Sequence, residues 1–312
     1  MRCLTLAEEL RARGHEAVFV GTVDSVSWLD DYFGSTGFPL HPATPDGLDA
    51  ERVLALDPDW VVIDSYRIDA ASISALTVRT KVLALVDGDA RGINATLYLD
   101  QNLGADEISW SLPGRMLAGS RYALIRDDIL RHRPAEPAIL AKPMRLTAFM
   151  GGTDPSGMIV TVARQLATVA GLDLTIVAPT ASHPHVRAAL AGYPLTTILD
   201  PTNELPALLG AAQVIVSAAG TSAWDICTLG VPALFVGVVD NQSASLAALV
   251  ERGLALGIDL AAGQSIGMLA PSVRELVENV ALRRQLSARC AAEFDGLGKA
   301  RVVDVMLENR LG

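Results

Sequence analysis

The stretch Val214–Val236, VIVSAAGTSAWDICTLGVPALFV, decides how the chain is read. An apolar, β-branched run, VIVSA, ends at Gly220. Gly220-Thr221-Ser222 then passes directly into AWDICTLG, and PALFV follows as a second short apolar run. The two runs read as buried strands and the segment between them as a helix, so the unit is strand, tight polar turn, helix, strand. Such a turn leaves backbone N–H groups at the mouth of a helix whose dipole favours anions, and a phosphate can sit over Thr221 and Ser222. Asp225, one turn further in, can then meet a sugar hydroxyl. The same residues also read as a plain helix start, because Ser222 as N-cap with Asp225 three positions later is a capping-box-like pair that needs no ligand. On this stretch alone both readings stay open.

The 312 residues fit two domains of about 150 residues each better than one core. Half the chain is hydrophobic, yet no uninterrupted apolar run approaches the roughly 18 residues of a membrane span. Lys+Arg 25 against Asp+Glu 35 gives a net charge of -10 with no basic cluster, which argues against a nucleic-acid binder and against an anionic membrane surface. Any phosphate is therefore expected to be held by backbone amides and a few side chains. Cys3, Cys227 and Cys290 form no C-x-x-C pair and leave an odd thiol, and the opening MRCLTLAEELRARG lacks the apolar core of a secretion signal, so a cytoplasmic home is expected.

Outward from the central stretch, strands alternate with helices along the whole chain. Residues 2–13 read as a helix closed by Gly14; strands are expected at 16–21, 38–41, 60–65, 81–87 and 96–102, with a helix at 69–78. This alternation indicates parallel, doubly wound sheets, in which ligands sit outside the carboxyl ends of the strands. Asp64, Tyr66, Asp87, Asp100 and Asn102 collect at those ends. Strand ends are also turns, which favour Asp and Asn; that plainer reading suits Asp100 and Asn102, and the functional one suits Asp64 and Tyr66. RHRPAEPAILAKPM at 131–144 reads as a linker, dividing the chain into 1–142 and 143–312. The second part opens with a strand running into Gly151-Gly152, after which Asp154 and Pro155 take the N-cap and first-turn positions of a helix to about Ala170. That turn is a second candidate anion cradle. His183-Pro184-His185 has spacing a metal could use, but no third ligand is in view and a loop-capping role is expected.

The turn SAAGTSAWDICTLGVPALFV with DNQ at 240–242 resembles the donor-nucleotide region of GT-B glycosyltransferases of the MurG type. DSY at 64–66, GSRYALIRDD at 119–128, MGGTD at 150–154 and SAAGTSAWD at 217–225 together resemble the PseG-like UDP-sugar hydrolases of pseudaminic acid synthesis, which act on a UDP-linked 2,4-diacetamido-trideoxy hexose. The resemblance implies a GT-B fold of two facing Rossmann-like domains with a cleft, the first holding the sugar or acceptor and the second UDP. It implies a UDP-sugar substrate, water attack at the anomeric carbon, and neither cofactor nor metal. It makes Gly220, Thr221 and Ser222 the diphosphate turn, puts Asp225 near the ribose and Asn241 and Gln242 by the sugar or its phosphate. Tyr122, Arg126 and Asp87 lie on the amino-terminal side, with Gly151, Gly152 and Thr153 on the facing edge. Asp64 and Tyr66 are the candidate catalytic residues.

In that family a first strand and a G-x-G-H loop precede the first helix. MRCLTLA matches the residues just after the loop His, so the first domain is expected to lack its first strand, and Met1 to be an internal start. His15, His41, His132, His183 and His185 all fall elsewhere. Ser65, the VDGD at 86–89 and Asp100 depart from the family pattern on the side where the sugar is chosen. Two alternatives stand beside the hydrolase: a GT-B glycosyltransferase passing the sugar to an acceptor in polysaccharide or glycoconjugate synthesis, including spore-coat polysaccharide, and a UDP-sugar binding protein without turnover.

Overall fold

A computed structural model describes residues 1–21, 33–43, 49–135 and 143–308. The chain forms two compact units, Met1–Ile125 with Gly296–Gly312, and Arg126–Asp295. These bounds differ from a division at 142/143: the chain changes unit before the proline-rich stretch, and its last helix returns to the first unit. Of that stretch, residues 136–142 lie outside the described residues.

The first unit contains β1 (Phe19–Gly21), β2 (Leu40–Pro42), β3 (Trp60–Ile63), β4 (Lys81–Leu85), β5 (Leu97–Asp100) and β6 (Arg115–Ala118), all paired in parallel. Among the described residues they fall into two sheets, β1-β2 and β3-β4-β5-β6. The four-stranded sheet is covered on both faces, which is why its strands read as continuous apolar runs rather than alternating ones. Val82 and Ala84 of β4 pack with Ile73 and Leu76 of the helix Ala70–Thr77. Leu83 and Leu85, pointing the other way, pack with Leu6 of the helix Arg2–Ala12 and with Val302, Val303 and Met306 of the helix Gly298–Glu308. The expected strands at 16–21 and 38–41 are observed shorter, and β6 escapes the sequence reading because Arg115 puts a charge at its start and leaves only a short apolar run.

The second unit is a six-stranded parallel sheet in the order β12-β11-β10-β7-β8-β9. Its strands are β7 (Met144–Phe149), β8 (Leu172–Val177), β9 (Thr196–Leu199), β10 (Val214–Ala218), β11 (Ala233–Gly237) and β12 (Leu256–Asp259). β7, β8 and β9 run outward to one side and β10, β11 and β12 to the other, so the winding direction reverses between β7 and β10. Leu146, Ala148, Leu174, Val214, Val216 and Leu234 form one buried face, and Ile159, Val162, Ala163 and Leu166 of the helix Met158–Leu166 pack on it. That helix starts at Met158, not at Asp154. Asp154 nevertheless caps it from outside, its carboxylate accepting from the amides of Met158 at 2.9 Å and Ile159 at 3.0 Å.

The helix Gly298–Glu308 begins against the chain leaving Tyr122. A Cβ at Gly298 would lie 2.2 Å from the Ala123 carbonyl oxygen and 2.6 Å from its amide nitrogen. We expect Gly298→Ala to destabilise the first unit by about 1–3 kcal/mol, because backbone has to move to admit the methyl group. Chemical denaturation of the two proteins measures this, and an unchanged midpoint would show that the contact is not tight.

Candidate active site

The sequence points to two clusters, one in each unit, and each is built by strand ends. In the second unit, parallel pairing of β7 with β10 sets Phe149 opposite Ser217. The turns that follow, Met150-Gly151-Gly152-Thr153 after β7 and Ala219-Gly220-Thr221 after β10, therefore leave the sheet at the same edge, from neighbouring strands. This is the reversal point of the sheet, where open α/β sheets leave a crevice for ligands. Gly151 adopts φ 81, which a side chain disfavours, while Gly152 and Thr153 are exposed.

The two helix mouths at this crevice differ. Asp154 already occupies the first amides of the helix Met158–Leu166, so that mouth is closed to a ligand. The helix Ser222–Leu229 has Thr221 as its N-cap with no side-chain cap. The capping-box reading of Ser222 and Asp225 therefore fails, because Asp225 does not reach back to Ser222. Its carboxylate lies 3.8 Å from the Arg126 guanidinium instead. Burial pushes the Asp225 carboxyl up to about 6, and Arg126 pulls it only partway back. Gln242, in the turn after β11, lies beside Gly220: its Oε1 accepts from the Val238 amide at 2.8 Å, and its Nε2 lies 4.0 Å from where a Cβ of Gly220 would be. Asn241 is exposed beside it.

Arg126, expected on the amino-terminal side, belongs to the second unit. Tyr122 stays in the first, but as a packing residue against the core that includes Leu6 and Leu124. His183 is buried, with Nε2 3.0 Å from the Ala178 carbonyl oxygen, a local hydrogen bond rather than a metal site. Among the described residues no group of three or more His, Cys, Asp and Glu side chains has a metal-holding arrangement.

In the first unit the ends of β3, β4 and β5 bring Asp64, Tyr66, Asp87, Asp100 and Asn102 together, and Arg2 ties them. Arg2 grips Asp64 in a two-pronged pair, Nε to Oδ2 at 3.0 Å and Nη2 to Oδ1 at 2.6 Å. It also donates to Asp87 through Nη1 at 2.8 Å and Nη2 at 3.2 Å. Asp87 further accepts from Asn102 Nδ2 at 3.1 Å and from the Tyr66 hydroxyl. A carboxylate offers about four lone-pair sites, so Asp87 is saturated. Asp64 is not: the hydrogen bonds found for it among the described residues are the two from Arg2. Asp100, fully buried, accepts from the amides of Gly88 and Asn102 and from Asn102 Nδ2.

Burial alone would raise the Asp87 carboxyl, but Arg2, Tyr66 and Asn102 hold it below the ordinary range. For Asp100 burial wins and the carboxyl is raised. The Tyr66 phenol is raised by burial and by its bond to Asp87. For Arg2, burial opposes the charge and the two carboxylates outweigh it. Arg2 was missed in the sequence because it sits on a helix far along the chain from the carboxylates it pairs with.

No family model matches the chain. It is 24% identical over 230 residues to the spore coat polysaccharide biosynthesis protein SpsG of Bacillus subtilis (strain 168), a match covering 72% of this chain and 64% of that protein. Among solved structures it is similar to Acinetobacter baumannii MurG, with TM-score 0.69 and 16% identity over 98% of this chain and 95% of that one. The S. aureus MnaA–UDP co-structure gives TM-score 0.67 and 17% identity, covering 97% and 91%. The spinosyn rhamnosyltransferase SpnG with thymidine diphosphate gives 0.64 and 16%, covering 98% and 96%.

Two titrations follow from these geometries. A depressed carboxyl stabilises the fold above its unfolded value of about 3.9 and loses that contribution as pH falls through the folded value. We expect Arg2→Gln to be less stable than the wild type at pH 7, with the gap closing as pH drops below about 4. A raised carboxyl acts in the opposite sense. Asp225→Asn is expected to be more stable than the wild type at pH 7, the advantage shrinking as pH falls from about 6 toward about 4, where the unfolded aspartate also protonates. Urea midpoints across pH measure both, and a pH-independent gap in either would refute the corresponding assignment. The fold, two units of parallel α/β sheet, is that of the GT-B glycosyltransferases.

Proposed function

We propose that the protein is a GT-B enzyme acting on a nucleoside-diphosphate sugar, with UDP held at the mouth of the helix Ser222–Leu229. The observation that carries this is the pairing of an uncapped helix mouth with a glycine turn at the reversal point of the sheet. Unpaired amides of Thr221 and Ser222, aimed where negative charge develops on a departing diphosphate, stabilise it without reorganisation. Gly151, Gly152 and Thr153 border the same crevice. Gln242 and Asn241 supply amides to the sugar phosphate, and Asp225, braced by Arg126, meets the ribose. Thymidine and uridine diphosphates in structures of the same fold support the ligand class.

The favoured reaction is sugar transfer to an acceptor in polysaccharide or glycoconjugate synthesis, in keeping with the solved glycosyltransferases and the name of the Bacillus relative. Asp64 is the base in this reading, because it is an ionisable group at the strand ends that keeps open acceptor sites toward an incoming hydroxyl. Hydrolysis, with water in place of the acceptor, is the second reading. It rests on the DSY, YALIR and MGGTD motifs of the PseG-like hydrolases.

Incubation with a UDP-sugar separates the two. Stoichiometric UDP release with no acceptor present supports the hydrolase, and release only on addition of acceptor supports the transferase. The nucleotide site has its own test. Proline is tolerated at the first position of a helix but has no N–H. Thr221, at φ -59, already has proline's backbone angle, and Gly220 before it carries no Cβ to clash, so Thr221→Pro is expected to keep the thermal midpoint while weakening UDP binding roughly tenfold or more, the loss of a charge-assisted hydrogen bond. Unchanged UDP affinity in this variant would place the diphosphate elsewhere.

A further inference from the structure

We infer that the open edge of β9 is a self-association surface, on which two copies of the chain pair their β9 strands antiparallel about a two-fold axis at Thr197. The six-stranded sheet of the second unit has two edges, β12 and β9, and the chain treats them differently. At β12 the Leu260 amide donates to the Gly237 carbonyl of β11, so the preceding residue, Asp259, turns its backbone groups outward. The chain takes them up itself. The Asp259 amide donates to Gln264 Oε1 at 2.7 Å, and its carbonyl accepts from the Gln264 amide at 2.9 Å. An edge closed in this way is blunted against an added strand.

β9 has no such cover. The Leu174 amide donates to the Leu195 carbonyl and the Ala178 amide to the Leu199 carbonyl, both at 3.0 Å, so the odd-numbered residues of β9 turn their backbone groups to β8. Alternation along the strand points the amides and carbonyls of Thr196 and Ile198 away from the sheet. Among the described residues no strand lies beyond them and no backbone hydrogen bond is found for them. The strand itself is inviting. Thr196, Thr197 and Ile198 are uncharged and β-branched, and Leu195 beside them is 45% exposed.

What fits this edge is the same edge of a second copy. With Thr197 on the axis, Thr196 of each copy lies opposite Ile198 of the other, and these pairs exchange about four hydrogen bonds. On one face the exposed Leu195 meets Leu199 of the other copy, and the two Thr197 side chains meet each other. On the opposite face Arg187, from the helix His183–Ala189, lines a cavity of 240 Å³ together with Leu190, Thr196 and Ile198. The same register carries the exposed Asp200 of the other copy past Thr196 on that side, so opposite charges converge. Pro194 has no amide to offer at the next outward position, which confines the ladder to the centre of the strand. A head-to-tail contact of β9 with β12 would grow into a filament, and the blunted β12 refuses it. An edge paired with its own copy is used up, and the assembly closes as a dimer.

Sedimentation velocity of the full-length chain across the micromolar range is expected to show a concentration-dependent dimer, as suits a contact this small. Thr197→Lys sets two like charges opposite each other on the axis. It is expected to keep the circular dichroism of the folded chain, because Thr197 is exposed, while weakening the dimer roughly tenfold or more. Thr197→Cys tests the register. Directly opposite residues of a non-hydrogen-bonded pair stand about 4.5 Å apart at Cα, within disulfide range, so this variant is expected to cross-link to its own copy under mild oxidation. Val78→Cys, at a position 83% exposed, and the parent chain are expected not to. A chain monomeric throughout the range, a Thr197→Lys dimer as tight as the wild type, or Thr197→Cys cross-linking no faster than Val78→Cys would each overturn the proposal.

Discussion

The parallel pairing of β7 with β10 is the constraint on which the second unit depends. Two strands far apart in sequence lie side by side at the centre of one sheet, and everything to either side winds away from them. Hydrogen bonding between them fixes a register, and a one-residue slip would move every side chain of the slipped strand to the opposite face of the sheet, into packing built for other shapes. The same register decides which turns meet. MGGT and AAGT leave the same edge of the sheet from adjacent strands because Phe149 and Ser217 are paired, so the core energetics and the placement of the candidate diphosphate turn share one cause.

The first unit is held at its strand ends by charge. One guanidinium joins two carboxylates that would otherwise repel, through four hydrogen bonds from its three nitrogens. The arrangement divides labour between acids of identical type. Asp87 is a hub with no capacity left, Asp100 is buried in amides, and Asp64 alone of the three keeps room for a ligand. Residue type says nothing of this difference; hydrogen-bond counting does.

Much of the fold could be read from the chain because the strands of parallel sheets are buried on both faces and therefore stand out as unbroken apolar runs. VIVSA, WVVI and KVLAL announce themselves, and the turns after them follow. The strand RMLA at 115–118 has a charge at its start and stays hidden. The capping pair at Ser222 and Asp225 looked right by spacing, yet spacing cannot show that a guanidinium from Arg126 competes for the carboxylate. Arg2 went unread for a related reason. It acts on partners brought near only by the folded chain. Asp154 is the converse: its capping role was readable, and the structure moved only the helix it caps.

The return of the helix Gly298–Glu308 to the first unit has a consequence for biosynthesis. Residues 126–295 form one continuous unit, complete in sequence before that helix has been made. The sheet of the first unit, by contrast, leaves Leu83, Leu85, Leu97 and Leu99 without part of their cover until Val302, Val303 and Met306 emerge. Domains generally fold as units in order of synthesis. Here the order is inverted: the unit begun first is finished last, and its unclosed apolar face has to be kept from other chains while the rest of the polypeptide is translated.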